Sequence, residues 1–327
     1  MDSCSGKYGT TCNIATVEAI IMQLFYEGID IYSKISLNTC IYDSYGEQQS
    51  DTLRVVFNDG NDLWDSWKPL KGDKIAVTLG ACDTGEMYIT SVRPENGKIC
   101  LRASSVPQNH NNKCNKSWQN IRFKQLCEEI SARHTLVCDF YGVEDQVYEY
   151  VNQQDKEDFI FLSERCVLEG CSFLVYNKKM IVYSELSIES TEADITLEIK
   201  NDMHFEYKDE SNDVYSTCIV KNGKFTGKYS VSGVPEKVLT KVINVNMSGQ
   251  AEADRYARNL LRCENKKMSS GIIDYDYFLG GYAAGSVINL DTPGVNSWNV
   301  PVFLTHVRHD MVKARTKLFF RKILEGY

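Results

Sequence analysis

Residues 155–183, DKEDFIFLSERCVLEGCSFLVYNKKMIVY, hold a helix and a hairpin back to back. Asp155 with Asp158 three residues on is a carboxylate form of the capping box, and both charges suit the positive end of a helix. Phe159, Leu162 and Cys166 then recur at helical spacing as one apolar face, and Gly170 supplies the stop. Beyond it, Ser172 to Tyr176 and Met180 to Tyr183 read as two strands turning at Asn177-Lys178-Lys179. Upstream, helical spacing starts at Ser117. Phe123, Leu126, Cys127, Ile130 and His134 share a stripe, with Asn120 as the expected N-cap. The order helix, strand, helix, hairpin defines a compact α+β insert over residues 115–190.

Both flanks change period from about 3.6 to 2, the signature of half-buried strands. On the N-terminal side, Ala19 to Tyr26 is an apolar run that turns at Glu27-Gly28-Ile29-Asp30. Ile35, Leu37, Thr39 and Ile41 alternate, as do Leu53, Val55 and Phe57, and then Ile75, Val77 and Leu79. Met87 to Arg93 and Lys98 to Ala103 flank Pro94-Glu95-Asn96-Gly97, a hairpin signal. Six short strands so closely spaced predict a small antiparallel barrel or sandwich over residues 1–107. The polar run Gln108 to Lys113 reads as a linker. After Thr191 the strands resume, with Ile195, Leu197 and Ile199 alternating and Asp213 to Val220 and Lys224 to Ser230 as a pair. A helix opens at Ser248 or Gln250, with Ala253, Ala257, Leu260 and Leu261 on one face. Gly271 to Phe278, Gly285 to Leu290, Val300 to His306 and Thr316 to Ile323 are the closing strands. The expected class is mixed β and α+β: two tube-like antiparallel barrels, 1–107 and 191–327 (the second with one helix), around the insert.

The 327-residue chain has a formal net charge of −8, with 36 Lys and Arg against 44 Asp and Glu. A nucleic-acid grip gains affinity by neutralising phosphates with cations, and this acidic chain has no basic block for that. The N-terminal ten residues lack a basic-then-apolar signal pattern, and no apolar run approaches the ~20 residues of a membrane span. No membrane anchor is expected, and a chain kept in a reducing cytoplasm carries thiols. The twelve cysteines fit that setting. Cys40, Cys100, Cys127, Cys166 and Cys218 fall within apolar periods as small hydrophobes. The close pairs Cys4 with Cys12 and Cys166 with Cys171 lack zinc-knuckle spacing.

Candidate chemistry resolves into structure. His306, His309 and Asp310 resemble a metal-ligand set, but three-apart positions on a strand face opposite sides. Glu189, Glu192 and Asp194 offer the paired carboxylates of glycoside cleavage, yet nothing aromatic surrounds them and a solvated linker is expected. Asp274 and Asp276 alternate with Tyr275 and Tyr277 as an outer strand face. Gly280, Gly281 and Gly285 lack the Lys-Ser/Thr of a phosphate loop and read as a bulged turn. Cys127 and His134 form a dyad on paper, but both lie on the buried helical stripe. No catalytic, cofactor-binding or metal residue is expected, and the chain is read as a non-enzyme without cofactor.

The ordered pieces resemble the phage late-control protein D family, the baseplate hub of contractile tails. Asp158-Phe159-Ile160-Phe161-Leu162-Ser163-Glu164-Arg165, then Glu169-Gly170-Cys171-Ser172-Phe173 and Lys179-Met180-Ile181-Val182-Tyr183, resemble the family's insert. Phe123 to Ile130 is similar to the helix before it. Trp67-Lys68-Pro69-Leu70-Lys71-Gly72-Asp73-Lys74-Ile75 resembles the strand entry of the first barrel, and Val302 to Asp310 the closing hairpin of the last. The resemblance spans residues 15 to 325; the chain departs from it in its cysteine content and in lacking an appended enzymatic domain. It implies a structural homotrimer whose six barrels form a pseudo-sixfold ring between a sixfold tail tube protein and a threefold central spike protein. Further implied partners are a baseplate wedge or LysM-type adaptor and the tape measure protein. The product would be made in the bacterial cytoplasm and assembled into a phage tail, an R-type bacteriocin or a related contractile injection particle. The tail-tip hub of a non-contractile phage is the alternative within that class. A tail-associated cell-wall hydrolase or a glycan-binding adhesin is the alternative outside it.

Overall fold

A computed structural model describes residues 21–59, 66–107, 112–193, 195–200 and 203–327. The linker at 108–111, Asp194, Cys4 and Cys12 lie outside the described residues. Strands dominate, with helices concentrated in the middle of the chain.

The N-terminal strands are β1 (Met22–Tyr26), β2 (Ile29–Asp30), β3 (Ser36–Tyr45), β4 (Thr52–Asn58), β5 (Lys74–Leu79), β6 (Cys82–Asp83), β7 (Met87–Glu95) and β8 (Lys98–Ser104). They pair antiparallel in the order β3-β4-β8-β7-β5-β1-β2. Leu53, Val55, Phe57, Ile75, Val77 and Leu79 are buried in one core, as their alternation predicts. Each such side chain contributes about 1.5–3 kcal/mol of burial. In β3 the expected face is corrected midway. A bulge between Leu37 and Thr39 inserts one residue, so Cys40 and Tyr42, not Thr39 and Ile41, point into the core. One added residue exchanges the two faces of everything after it. The β7–β8 hairpin turns at Asn96 and Gly97, both at positive φ (48° and 71°).

The insert contains β9 (Lys113–Arg122), α1 (Phe123–Arg133), β10 (Val137–Tyr141), β11 (Val147–Glu157), α2 (Asp158–Leu168), β12 (Cys171–Tyr176), β13 (Lys179–Ser184) and α3 (Glu185–Glu189). Two expected helix starts move. Ser117 to Arg122 is strand, and Asn120, at φ 51°, caps nothing, because β9 and β11 form a long antiparallel ribbon that buries Trp118 and Val151. Asp155, at φ 46°, sits in a bulge of that ribbon, and the pairing of Lys156 with Cys114 and Glu157 with Lys113 holds the chain extended until Asp158. The remaining strands form the sheet β10-β13-β12, against which α1 and α2 pack.

The C-terminal strands are β14 (Thr196–Glu198), β15 (His204–Asp209), β16 (Thr217–Lys221), β17 (Thr226–Ser230) and β18 (Val238–Val242), then helix α4 (Gln250–Asn265), then β19 (Ser269–Tyr275), β20 (Val287–Asp291), β21 (Pro301–Asp310) and β22 (Arg315–Lys322). The pair expected at 213–230 does form, as β16 and β17, but with β18 it makes a separate sheet ordered β17-β16-β18. Cys218, Val220 and Leu239 pack there on Ala253, Tyr256, Ala257 and Leu261 of α4. The approach is close enough that a Cβ on Gly227 would stand 2.0 Å from the Ala253 carbonyl oxygen.

The other C-terminal strands run β15-β19-β22-β21. At β21 the sheet branches. Val302 faces Ile288 of β20, whereas His306 to Asp310 pair with Tyr45 to Ile41 of β3. The two strand-rich ends of the chain are thus one hydrogen-bonded sheet of 14 strands, each end with its own core. Among the described residues no helix is long and apolar enough to cross a membrane.

Candidate functional site: a buried ionic junction

A closed ring of six charged side chains joins the N-terminal strands, the insert, α4 and the C-terminal strands. Glu185 and Glu189 are four residues apart on α3 and so share a face; Arg262 on α4 and Lys266 just beyond it do the same. The two faces meet: Lys266 Nζ lies 2.6 Å from Glu185 Oε1, and Arg262 Nη2 lies 2.5 Å from Glu189 Oε2. Arg262 Nε reaches Glu185 Oε2 at 4.0 Å. Arg321, from β22, joins Glu189 Oε1 at 2.8 Å to Glu47 Oε1 at 2.9 Å, and Glu47, following β3, returns to Lys266 at 3.1 Å. Signs alternate around the ring and sum to zero.

Five of the six charges are out of water, Glu189 being 1% exposed at the side chain, Arg321 3% and Lys266 4%, while Glu47 keeps 20%. Burial opposes ionisation of Glu47, but Arg321 and Lys266 outweigh it and hold its carboxyl below the ordinary value. Burial likewise opposes the charge on Lys266, and Glu185 and Glu47 overcome it and raise its pKa. The Arg321 guanidinium also lies over the Phe303 ring, 4.6 Å from its centroid. Such a ring costs several kcal/mol of desolvation per ion and is tolerable only when every charge has its partner. Its consequence is geometric: two helices, a C-terminal strand and an N-terminal loop are fixed relative to one another.

A second polar contact ties the insert to α4. Glu169 accepts two hydrogen bonds from Arg255, at 2.9 and 3.2 Å, and one from the Tyr148 hydroxyl at 2.8 Å. Asn259 Nδ2 donates to the Leu168 carbonyl at the end of α2, 2.7 Å away.

The β3–β21 seam has its own fixing. His306 stacks between Tyr45 and Phe319, each ring centroid 4.4 Å away, and its Nε2 lies 2.7 Å from Asp43 Oδ1. Arg308 adds Nε to Asp43 Oδ1 at 2.7 Å. Burial would raise the Asp43 pKa; hydrogen bonds from His306 and Arg308 outweigh it and lower it. His309 faces the other way. Its Nε2 donates to the Tyr282 carbonyl at 3.2 Å and its Nδ1 accepts from Thr316 at 3.0 Å, and burial lowers its pKa. The two histidines therefore do not converge, and among the described residues no group of three metal-ligating side chains forms. Nearby Asp51 accepts from the Tyr42 hydroxyl at 2.6 Å and from the Tyr45 amide at 2.8 Å. Burial pushes its carboxyl up to about 7.

The other sequence candidates separate. Glu189 is corrected from solvated linker to buried ring member, while Glu192 is exposed. His134 Nε2 pairs with Asp158 Oδ2 at 3.0 Å, and Cys127 is buried beside Cys166. Asp274, within β19, lies beside Lys317 of the neighbouring strand, and Asp276, just past β19, is exposed and pairs with Arg315. Gly285 approaches Gly46 so closely that a Cβ on Gly46 would lie 2.6 Å from the Gly285 amide. The ten described cysteines are free thiols. The ring escaped the sequence reading, although Glu185/Glu189 and Arg262/Lys266 at four-residue spacing were its visible signal.

No protein-family model matches the chain, and no curated protein matches it by sequence. Solved structures do match. The tail protein from Neisseria meningitidis MC58 superposes with a TM-score of 0.71 at 10% identity, covering 92% of this chain and 96% of that one. The 43 kDa tail protein of prophage MuSo2 from Shewanella oneidensis gives 0.70 at 9% identity, covering 92% and 97%. An Escherichia coli component of the type VI secretion system, described as similar to the bacteriophage T4 tail proteins gp27 and gp5, gives 0.58 at 15% identity, covering 93% and 78%. The chain has the fold of these tail and secretion-system proteins.

Proposed function

We propose that the chain is a structural hub subunit of a phage tail or related contractile injection particle, of the late-control protein D kind. It acts as a homotrimer that joins the tail tube to the central spike. The observation that carries this reading is the likeness to two tail proteins, one of them from a prophage, over nine-tenths of all three chains. The E. coli neighbour, a secretion-system component, extends the same fold to injection machines.

The sheet supports the reading physically. Its outer edges are β15 at one end and β1–β2 at the other, one in each strand-rich block. Unpaired strand edges invite pairing, and Ile29 beside the second edge is 61% exposed. An edge of one block meeting the opposite edge of a neighbour is a heterologous contact, which closes into a ring at a fixed rotation. The buried junction holds the two blocks at the fixed mutual angle that such closure needs. Each block then serves as one of six barrels. The spike, the tube, a wedge or LysM-type adaptor and the tape measure protein are the partners, and no catalytic step is assigned.

Light scattering of the purified chain, followed by negative-stain imaging with tube and spike proteins, tests this. A mass near three times the 37.2 kDa chain, or a threefold ring formed on adding those partners, supports the hub. A stable monomer indifferent to both overturns it.

A further inference from the structure

Arg165 is buried to 4% exposure, yet its Nη1 is shut from solvent with no hydrogen-bond partner, and no carboxylate pairs with its guanidinium among the described residues. Buried cations are normally paired, because an unpaired one forfeits hydration with nothing in return. The two nearest carboxylates along α2 are committed elsewhere: Glu169 to Arg255 and Tyr148, and Glu164 to Lys156 at 2.5 Å. Tyr148 and Phe161 hold the guanidinium by their ring faces, with its Cζ 5.7 Å from both centroids. Ring faces offset part of the desolvation but accept none of the five in-plane N–H bonds.

Arg165 lines two adjoining open clefts, of about 500 and 350 Å³, between the β11–α2 segment and the chain linking β18 to α4. They share Asn152, Gln154 and Asn244, whose side-chain amides make no hydrogen bond among the described residues. Each such amide offers a donor and an acceptor, the complement of a peptide backbone. One wall is apolar, with Ile243 and Leu260. The charged lining is Lys156, Lys224, Arg165 and Glu164, a local excess of two positive charges on a chain whose net charge is −8.

We propose that this cleft is a binding site for an extended acidic peptide segment of a partner protein, which seats an Asp or Glu carboxylate on Arg165 and a neighbouring apolar side chain on the Leu260 wall. A planar carboxylate matches the guanidinium fork, and the shared amides align the backbone. The site goes beyond the hub reading and does not depend on trimer formation.

The test is fluorescence anisotropy with the full chain and a labelled peptide, acetyl-Leu-Glu-Leu-Glu-Leu-amide, with its Gln counterpart and sodium phosphate as competitors. Saturable binding is expected, with the Gln peptide weaker by roughly 30-fold or more, as for a lost partner of a buried charge pair. Arg165→Met is expected to abolish the preference for Glu over Gln. Lys224→Glu, at the exposed lip where folding is not at stake, is expected to weaken the acidic peptide by about three- to tenfold. No saturable binding, equal affinity for both peptides, or an unchanged preference in Arg165→Met or Lys224→Glu overturns the proposal. Displacement by phosphate as effective as by the unlabelled acidic peptide also overturns it, since the site would then take an anion and not a peptide.

Discussion

Replacing Arg321 with Met keeps most of the side-chain volume and removes one charge from the ring. In the native ring Arg321 faces Glu47 at 2.9 Å and Glu189 at 2.8 Å. At an effective dielectric constant of ~20, each such contact carries roughly 6 kcal/mol of attraction. Most of that offsets the desolvation of three ions, and the net cost of removing one partner is about 3–5 kcal/mol. The variant would leave the buried Glu189 and the part-buried Glu47 without their shared cation, with Arg262 and Lys266 as the cations that remain. One carboxylate then gains by taking up a proton, so the penalty is expected to be largest near pH 8 and to shrink toward pH 5. Urea unfolding followed by circular dichroism at both pH values measures this, with Glu189→Gln and the double variant completing a cycle. A coupling of about 2 kcal/mol or more is expected, because the two residues share one network. A loss under about 1 kcal/mol, a loss independent of pH, or strict additivity would refute the claim that the ring fixes these elements together.

Asp51, with its carboxyl pushed up to about 7, binds a proton more tightly in the folded chain than in the unfolded one. Its contribution is fully present below about pH 4 and is lost as pH rises through about 7, by as much as about 4 kcal/mol. Urea midpoints of Asp51→Asn should therefore gain on the parent between pH 4 and pH 8; parallel profiles would contradict the assignment. Gly227→Ala drives a Cβ toward the Ala253 carbonyl at 2.0 Å, and neither backbone can yield without parting β17 from α4. A loss of about 1–3 kcal/mol in thermal melts is expected. Gly281→Ala, at an exposed turn with nothing within 4 Å and no positive φ, serves as the control and should change little.

Periodicity carried the strands and helices whose neighbours are local. Leu53, Val55 and Phe57 face one core as the alternation requires, and α4 buries Ala253, Ala257 and Leu261 as its stripe requires. It failed where a distant partner overrode the local signal. The ribbon of β9 with β11 extended residues that read as helix starts, because cross-strand pairing of Trp118 with Val151 outweighs a cap at Asn120. Strand β15 alternates from His204 to Lys208, a pattern legible in the sequence. Glu189 looked solvated because its two cationic partners, Arg262 on α4 and Arg321 on β22, lie more than 70 residues further along the chain.

The amino-acid sequence by itself determined the strands and helices with strong local periodicity, most of their apolar faces, and the order strands, insert, strands that the resemblance rests on. These depend on rotation per residue and side-chain polarity, both properties of neighbouring positions. Only the tertiary structure decided that β3 and β21 join the two ends of the chain into one sheet, that β16–β18 and α4 make a core of their own, and that six charges close a ring. Pairing between strands is chosen by the whole set of competing edges and buried faces. A charge is known to be buried only once every element that covers it has been placed.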